Sequence, residues 1–422
     1  MVIVMKKLYI REKYLKKLRG FYDDVDMIKV ISGVRRCGKS SLMEMVCAEI
    51  ETKGVEPQNI IYIHLDKRPY KSIKTPERLE EIIDAKAEGI AGIKYLFIDE
   101  VQNVKGFEET VNAYREEGSF SIFLTGSNSY LLSGELTTKL TGRYMEFEMK
   151  TLTFDEYIGI KQFFDKPVDS DMEKEFLQYI VEGGFPLAAK YDSYEDKMTY
   201  VESVIEEIFD KDIKRNNKIR KKSLFRKIQN YIINNFGATT SVDSICNYLS
   251  KHGDSVSKVT VYNYLSILEN AKIISKCERF DMKSKKSLNG DEKYYLSDLS
   301  FYFSRNTDGR INYGPVLENI VYNYVCSKGY KASVGKIGKL EVDFILRKRA
   351  DEYAYVQVAR TIDNDNYDEN GKNMTEEREY RSLERIADGY PKYLITMDKL
   401  LQKRNGIKHL NVIDMMVNDS DL

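Results

Sequence analysis

Four short apolar runs mark the first third of the chain: Ile28–Ile31, Ile60–Leu65, Tyr95–Ile98 and Ser121–Leu124. Between them, Ser40–Ile50, Pro76–Glu88 and Phe107–Glu117 carry apolar residues at helical spacing. Continuous apolar strands separated by helices predict a parallel sheet covered on both faces. A further run, Tyr144–Met149, holds two glutamates and is expected at the sheet's edge.

From Phe154 to about Asn217 the spacing turns helical, broken at Gly183-Gly184-Phe185-Pro186. This predicts a small helical lid. Three helical stretches follow, Leu224–Asn235, Ser241–Ser250 and Lys258–Asn270, then strands at Ile273–Phe280 and Lys293–Leu296 around the basic turn Lys283–Lys286. That order matches a winged helix-turn-helix. A helix at Pro315–Lys328 opens the last part. Strands are expected at Leu340–Leu346, Tyr353–Val358, Lys392–Thr396 and His409–Ile413, with a helix at Thr375–Asp388 and an exposed loop at Asp363–Asn373. The expected domains are 1–152, an α/β core; 153–217, the lid; 218–300, the winged helix; and 301–422, a smaller α/β domain.

A chain of 422 residues is too long for one core. Its 66 Lys and Arg balance 66 Asp and Glu, so no global field draws it to nucleic acid, and any such contact needs a local patch. Lys211–Lys227 holds nine basic residues and one acid, but most such runs are a solvated helix face. No stretch approaches eighteen apolar residues, so no membrane is implied and a cytoplasmic location is expected. The five cysteines show no metal-ligand spacing and read as free thiols in a reducing compartment.

The sharpest motif is Gly33-Val34-Arg35-Arg36-Cys37-Gly38-Lys39-Ser40-Ser41, a phosphate loop between a strand and a helix. Its glycines let backbone N–H groups wrap an anion at a helix N-terminus. Lys39 is expected at the β- and γ-phosphates, and Ser40 on Mg²⁺. Arg35 and Arg36 are expected to reach phosphate or a partner subunit. Lys94–Glu100 supplies the second half: Asp99 ends a strand at the edge where such sheets bind ligands, and Glu100 follows. Asp99 is expected to hold Mg²⁺ through water, and Glu100 to act as general base. Thr125 and Ser127, and more weakly Asn128, end another strand and are candidates to sense the γ-phosphate or orient the water; a plain turn is the competing reading. Arg143, after Gly142, is a candidate arginine finger, in its own site or a neighbour's, against a surface ion pair. No Asn-Lys-x-Asp or Thr-Lys-x-Asp segment reads guanine, so ATP with Mg²⁺ is the expected ligand.

The chain resembles the prokaryotic AAA+-like ATPases in which a P-loop core precedes a winged helix and a nuclease-like domain. The residues that carry the resemblance are GVRRCGKSSL (33–42), FIDEVQNVKGFE (97–108), FLTGSNSYLLSGELTTKLTGRY (123–144) and VEGGFP (181–186). LEVDFIL (340–346), YVQVA (355–359), YPKYLITMD (390–398) and GIKHLNVID (406–414) extend it toward the C-terminus. The resemblance implies ATP binding and hydrolysis, and AAA+-type cores often build rings, which makes a homo-oligomer an expected assembly.

The last domain resembles a restriction-endonuclease-like core. Asp343 fills its first acidic position, Glu341 shares that strand face, and Glu318 is an outer acid. Gln357 stands where the second carboxylate belongs, and Ala359 where lysine belongs, so cleavage chemistry is expected to be lost. Residual activity would need Glu341 or Arg360 to substitute. Two functions are expected from the whole: a Mg²⁺-dependent ATPase acting on duplex DNA or a protein client, or an ATP-gated DNA-binding module with slow or no turnover.

Overall fold

The computed structural model describes residues 7–126, 140–214, 219, 221–284, 286–306, 310–349, 352–363, 368 and 373–422. The chain divides into two compact units, one of residues 1–151, 206–218 and 270–272, the other of 152–205, 219–269 and 273–422.

The first unit is built on five parallel strands: β1 (Ile28–Gly33), β2 (Ile60–His64), β3 (Lys94–Asp99), β4 (Phe120–Thr125) and β5 (Tyr144–Met149), in the order β2-β3-β4-β1-β5. Helices α1 (Glu12–Leu18), α2 (Lys39–Thr52), α3 (Pro76–Ala87) and α4 (Phe107–Glu116) accompany it. Every residue of β1 and β4 is buried, Lys29 and Ser121 included, and the remaining positions are largely apolar for that reason. β5 lies at the edge, as its glutamates suggested. One face of the sheet packs Ile63, Leu96, Ile98 and Leu124 against Leu79, Ile83, Phe107 and Val111 of α3 and α4. On the other face, Phe97 and Phe123 stack with centroids 4.6 Å apart.

A lysine in the buried strand β1 needs an internal solution. Lys29 is fully buried; its ammonium donates to Ser121 Oγ at 2.9 Å and to the Asp24 carbonyl, and lies 4.6 Å from the Phe123 ring centroid. Burial pushes its pKa down to about 8.

The second unit opens with helices α5 (Phe154–Phe163), α6 (Met172–Glu182) and α7 (Tyr194–Glu207), the last of which ends inside the first unit. The lid expected after the core therefore clusters mainly with the C-terminal part of the chain. Its Gly183-Gly184 break has a packing cause: Gly183 takes φ +77, and a Cβ there would meet Asp298 Oδ1 at 2.0 Å. Gly184 N–H donates to the same carboxylate at 2.8 Å.

Helices α8 (Lys222–Asn234), α9 (Val242–Lys251) and α10 (Lys258–Asn270) follow, with the short β6 (Thr239–Thr240) and the hairpin β7 (Ile274–Asp281) and β8 (Lys286–Leu296). Next come α11 (Ser300–Phe303), α12 (Tyr313–Ser327), β9 (Lys331–Ile337), β10 (Leu340–Arg347), β11 (Tyr353–Val358), α13 (Met374–Glu384), β12 (Lys392–Thr396), β13 (Lys403–Arg404), β14 (Ile407–Asn411) and α14 (Val412–Val417). The expected boundary near residue 300 does not divide this sheet. β7 pairs in parallel with β9, so one nine-stranded sheet runs β13-β14-β12-β11-β10-β9-β7-β8-β6.

The shared sheet also brings in a lysine that the sequence reading missed. Lys293 of β8 places its ammonium 2.9 Å from Glu318, 3.0 Å from Glu341 and 3.7 Å from Asp343. Asp343 is buried and its second oxygen accepts from Val358 N–H at 2.8 Å. Gln357 donates to Glu379 at 3.1 Å and accepts from Ser382. The carboxylates therefore close around an internal cation, and among the described residues no His, Cys, Asp and Glu group is arranged to hold a metal.

Lys293→Met should remove the ammonium that Glu318, Glu341 and Asp343 share, leaving Arg279 on Glu341 alone, and cost about 3–5 kcal/mol at pH 7, read as an earlier denaturation midpoint of the second unit. Burial, and next the neighbouring Glu318, already hold Asp343 well above its ordinary 3.8. A group that binds its proton more tightly when folded loses stability as pH rises through that raised window. Loss of the ammonium extends this fall to higher pH, so the variant's deficit should shrink between pH 7 and about 5. A deficit independent of pH would contradict this account.

Candidate functional site

The candidate site is the C-terminal edge of the first unit's sheet. β1 ends at Gly33, which takes φ +139; a Cβ there would lie 2.2 Å from the Met149 carbonyl oxygen and 2.9 Å from Cys37 Sγ. Only glycine fits. Gly38, at φ +110, turns the chain into α2, whose first residue is Lys39. Lys39 is 8% exposed, and its ammonium donates to the Gly33 and Val34 carbonyls at 2.9 and 3.2 Å. Ser40 and Ser41 follow on the first turn and are half-buried. Val34 and Cys37 are buried, and burial pushes the Cys37 thiol up, away from reactive thiolate near neutral pH.

The loop is held from both flanks by groups that the sequence did not single out. Arg11, 3% exposed, donates to the Cys37 carbonyl at 3.2 Å and to the carbonyls of Lys150 and Thr151 at 2.8 and 3.2 Å. On the other flank Glu207 receives Arg36 at 2.9 Å and lies 3.8 Å from Arg35. Arg36 itself sits at φ +67. Ser32 donates to Glu146, and Glu148 pairs with Lys150 and Lys272. Burial opposes the Glu148 charge, but those two ammonium groups prevail and hold it at about 2.

β2, β3 and β4 end side by side. His64 is directly opposite Asp99 in the β2–β3 register, and Thr125 closes β4. Asp99 has no exposed surface. Thr125 Oγ1 donates to one of its oxygens, while His64 Nε2 lies 3.0 Å and Tyr62 OH 3.5 Å from the other. Thr125 Oγ1 also accepts from Glu100 N–H at 3.1 Å. Thr125 is thus brought to the carboxylates, with its hydroxyl engaged between them. Glu100 is half-buried, adopts φ +60, and accepts from Gln102 Nε2. A non-glycine residue in that region costs about 1–3 kcal/mol, and such strain gathers at functional positions.

Ser127, with Asn128, lies outside the described residues. One candidate, Arg143, is not brought here. Arg143 precedes β5 at the opposite edge of the sheet: its carbonyl accepts from Ile28 N–H, at the start of β1, whereas the phosphate loop begins at Gly33. Five residues of strand put about 16 Å between those ends. Its guanidinium donates to Asn112 at 3.2 Å and lies 3.8 Å from Glu116. That position corrects the same-site reading of Arg143, because an arginine side chain is too short to span the length of the strand to the loop. His64, Tyr62 and Gln102 were missed; a polar residue closing an apolar strand was the available signal for His64.

A phosphate loop and a strand-end acid pair at one edge of a β2-β3-β4-β1-β5 parallel sheet define a P-loop nucleotide-binding core of the AAA type. The AAA domain family matches residues 25–158, and a domain of unknown function matches 173–306, across the boundary expected near 217. An uncharacterized protein of Haemophilus influenzae is 34% identical over 418 residues, which cover 98% of this chain and 99% of that protein. An uncharacterized protein of Methanocaldococcus jannaschii is 32% identical over 328 residues, 76% of this chain and 72% of that one. This chain belongs to their family. The Walker-type ATPase of Pyrococcus abyssi shares the fold, with a TM-score of 0.51 and 17% identity over 70% of this chain and 95% of that one.

With Arg143 at the far edge, Arg143→Ala should leave ATP turnover of dilute, monomeric protein within about twofold of wild type, since one surface ion pair contributes little. A loss seen only at high protein concentration would assign the residue to a neighbour's site. A tenfold loss in the monomer would contradict its placement.

Proposed function

We propose that this chain binds and hydrolyses ATP with Mg²⁺ and uses the cycle to act on duplex DNA or a protein client through its second unit. The observation that carries this reading is the Thr125 hydroxyl, which ties Asp99 and Glu100 together at the edge where the phosphate loop begins. The oxygen donors there suit a hard cation. Ser40 and, through water, Asp99 would hold Mg²⁺, which neutralises charge on the β- and γ-phosphates. Lys39 exchanges its two carbonyl acceptors for phosphate oxygens. The loop's N–H groups and the α2 N-terminus receive the anion. Glu100 takes the proton of the attacking water as general base.

The second unit supplies the partner surface in this reading. We take α8–α10 with the β7–β8 hairpin as a winged helix, in which α10 leaves Val259 and Tyr262 exposed on one face. We take the sheet from β9 onward as a nuclease-like fold without cleavage. The Lys293 ammonium and the Gln357 amide support that assignment, since neither adds negative charge for a metal.

The test is steady-state ATP turnover with Mg²⁺, with and without duplex DNA, for wild type and Glu100→Gln. Removal of a general base should lower turnover about 10²–10⁴-fold while nucleotide still binds. Stimulation by DNA that fades steeply with salt would make DNA the partner. A wild type that binds ATP without turnover would favour the ATP-gated DNA-binding module instead.

A further inference from the structure

The side chain after the strand-end acids that has no role assigned to it is Gln102. The chain leaves β3 through Glu100 in the left-handed region and enters a tight turn at Val101–Asn103. That turn is pinned on several sides. Val101 and Val104 are fully buried, Asn103 N–H donates to the Glu100 carbonyl at 3.0 Å, and the Asn103 side chain donates to Asp66 at 2.9 Å. The turn folds the Gln102 carboxamide back onto Glu100, where Nε2 donates to Oε2.

The orientation of that amide follows from charge. A carboxylate accepts and cannot donate, so the NH₂ end must face Glu100 and the carbonyl end must face away. The carbonyl, Oε1, is buried and meets no protein donor among the described residues. A glutamine that served the core would use both ends, because a buried acceptor without a donor is costly. Among the described residues Gln102 uses one end, on one partner. The backbone of Glu100 is fixed separately, through Thr125 Oγ1, so the Gln102 contact acts on the carboxylate alone.

We propose that Gln102 is the positioning residue for Glu100, fixing its carboxylate in the rotamer from which it meets the attacking water. This rests on Glu100 being the general base of the ATPase reading. In this role the amide acts through Glu100: it removes rotational freedom from a side chain that would otherwise sample several staggered wells.

The test uses the full chain as wild type, Gln102→Ala, Gln102→Met, Glu100→Gln and the double variant Glu100→Gln/Gln102→Ala. Multiple-turnover and single-turnover ATP hydrolysis would be measured beside the affinity for a fluorescent ATP analogue. Both Gln102 variants should lower kcat about ten- to a hundredfold, with analogue affinity within about twofold of wild type. In the Glu100→Gln background, Gln102→Ala should cost nothing further, because the group it positions is gone. Equal losses in both backgrounds, a parallel loss of affinity, or an unchanged or raised kcat would overturn the positioning role. Full turnover in Glu100→Gln would overturn the base assignment, and the Gln102 role with it, whereas normal loss in Glu100→Gln with active Gln102 variants would sink the Gln102 role alone.

Discussion

A carboxylate without exposed surface must have its charge answered from inside the protein, and the first unit is arranged around that demand at Asp99. Taking such a charge out of water costs several kcal/mol unless donors replace the solvent. Tyr62 and His64 face it from β2, and Thr125 from β4. These groups reach it only because three parallel strands end in register. Slip β2 by one residue and His64 would change faces, leaving one oxygen of Asp99 without its nearest partner. The same hydroxyl that serves Asp99 receives Glu100 N–H, so the solution for the buried acid also sets the backbone of the next one.

The second unit solves a similar problem with an ammonium. Asp343, Glu341 and Glu318 come from β10 and α12, and the cation that serves them comes from β8. The interaction depends on β7 pairing with β9, which places the hairpin beside the C-terminal strands. Had the two regions been separate domains, as the element order suggested, three acids would share one small volume without a countercharge. Continuity of the sheet is therefore an electrostatic requirement of this part as much as a packing one. Arg279 of β7 adds a second cation, 2.7 Å from Glu341.

What could be read in the sequence follows from how each element is stabilised. The inner strands β1, β3 and β4 are buried on both faces, so their apolar runs gave their ends to within about two residues. β9 escaped because Lys331–Ile337 has no sustained apolar run; at its Gly335 a Cβ would lie only 3.0 Å from the Ile345 side chain. The strand expected at His409–Ile413 stops at Asn411, whose side chain accepts from Ile413 and Asp414 N–H groups and starts α14. The phosphate loop and the acid pair were legible because their chemistry is local in sequence. Lys293, His64 and Arg11 were not, because each acts across a strand pairing or a chain crossing that spacing does not encode. Arg143 misled for the same reason: a glycine turn predicts a presented arginine, but parallel pairing of β5 with β1 decides which edge it occupies.

The phosphate loop shows how far that non-local support goes. Its glycines give it shape, yet a loop carrying two arginines would be mobile if glycine alone governed it. Arg11 draws the Cys37 carbonyl and the end of β5 together, spanning some 140 residues of sequence with one guanidinium. Its charge strengthens these bonds, and its fork holds several carbonyls at once. Glu207 meanwhile keeps Arg36 at the rim and Arg35 close by. The floor of the loop is left to backbone N–H groups and Lys39, the groups that recognise phosphate without needing to rearrange the fold around it.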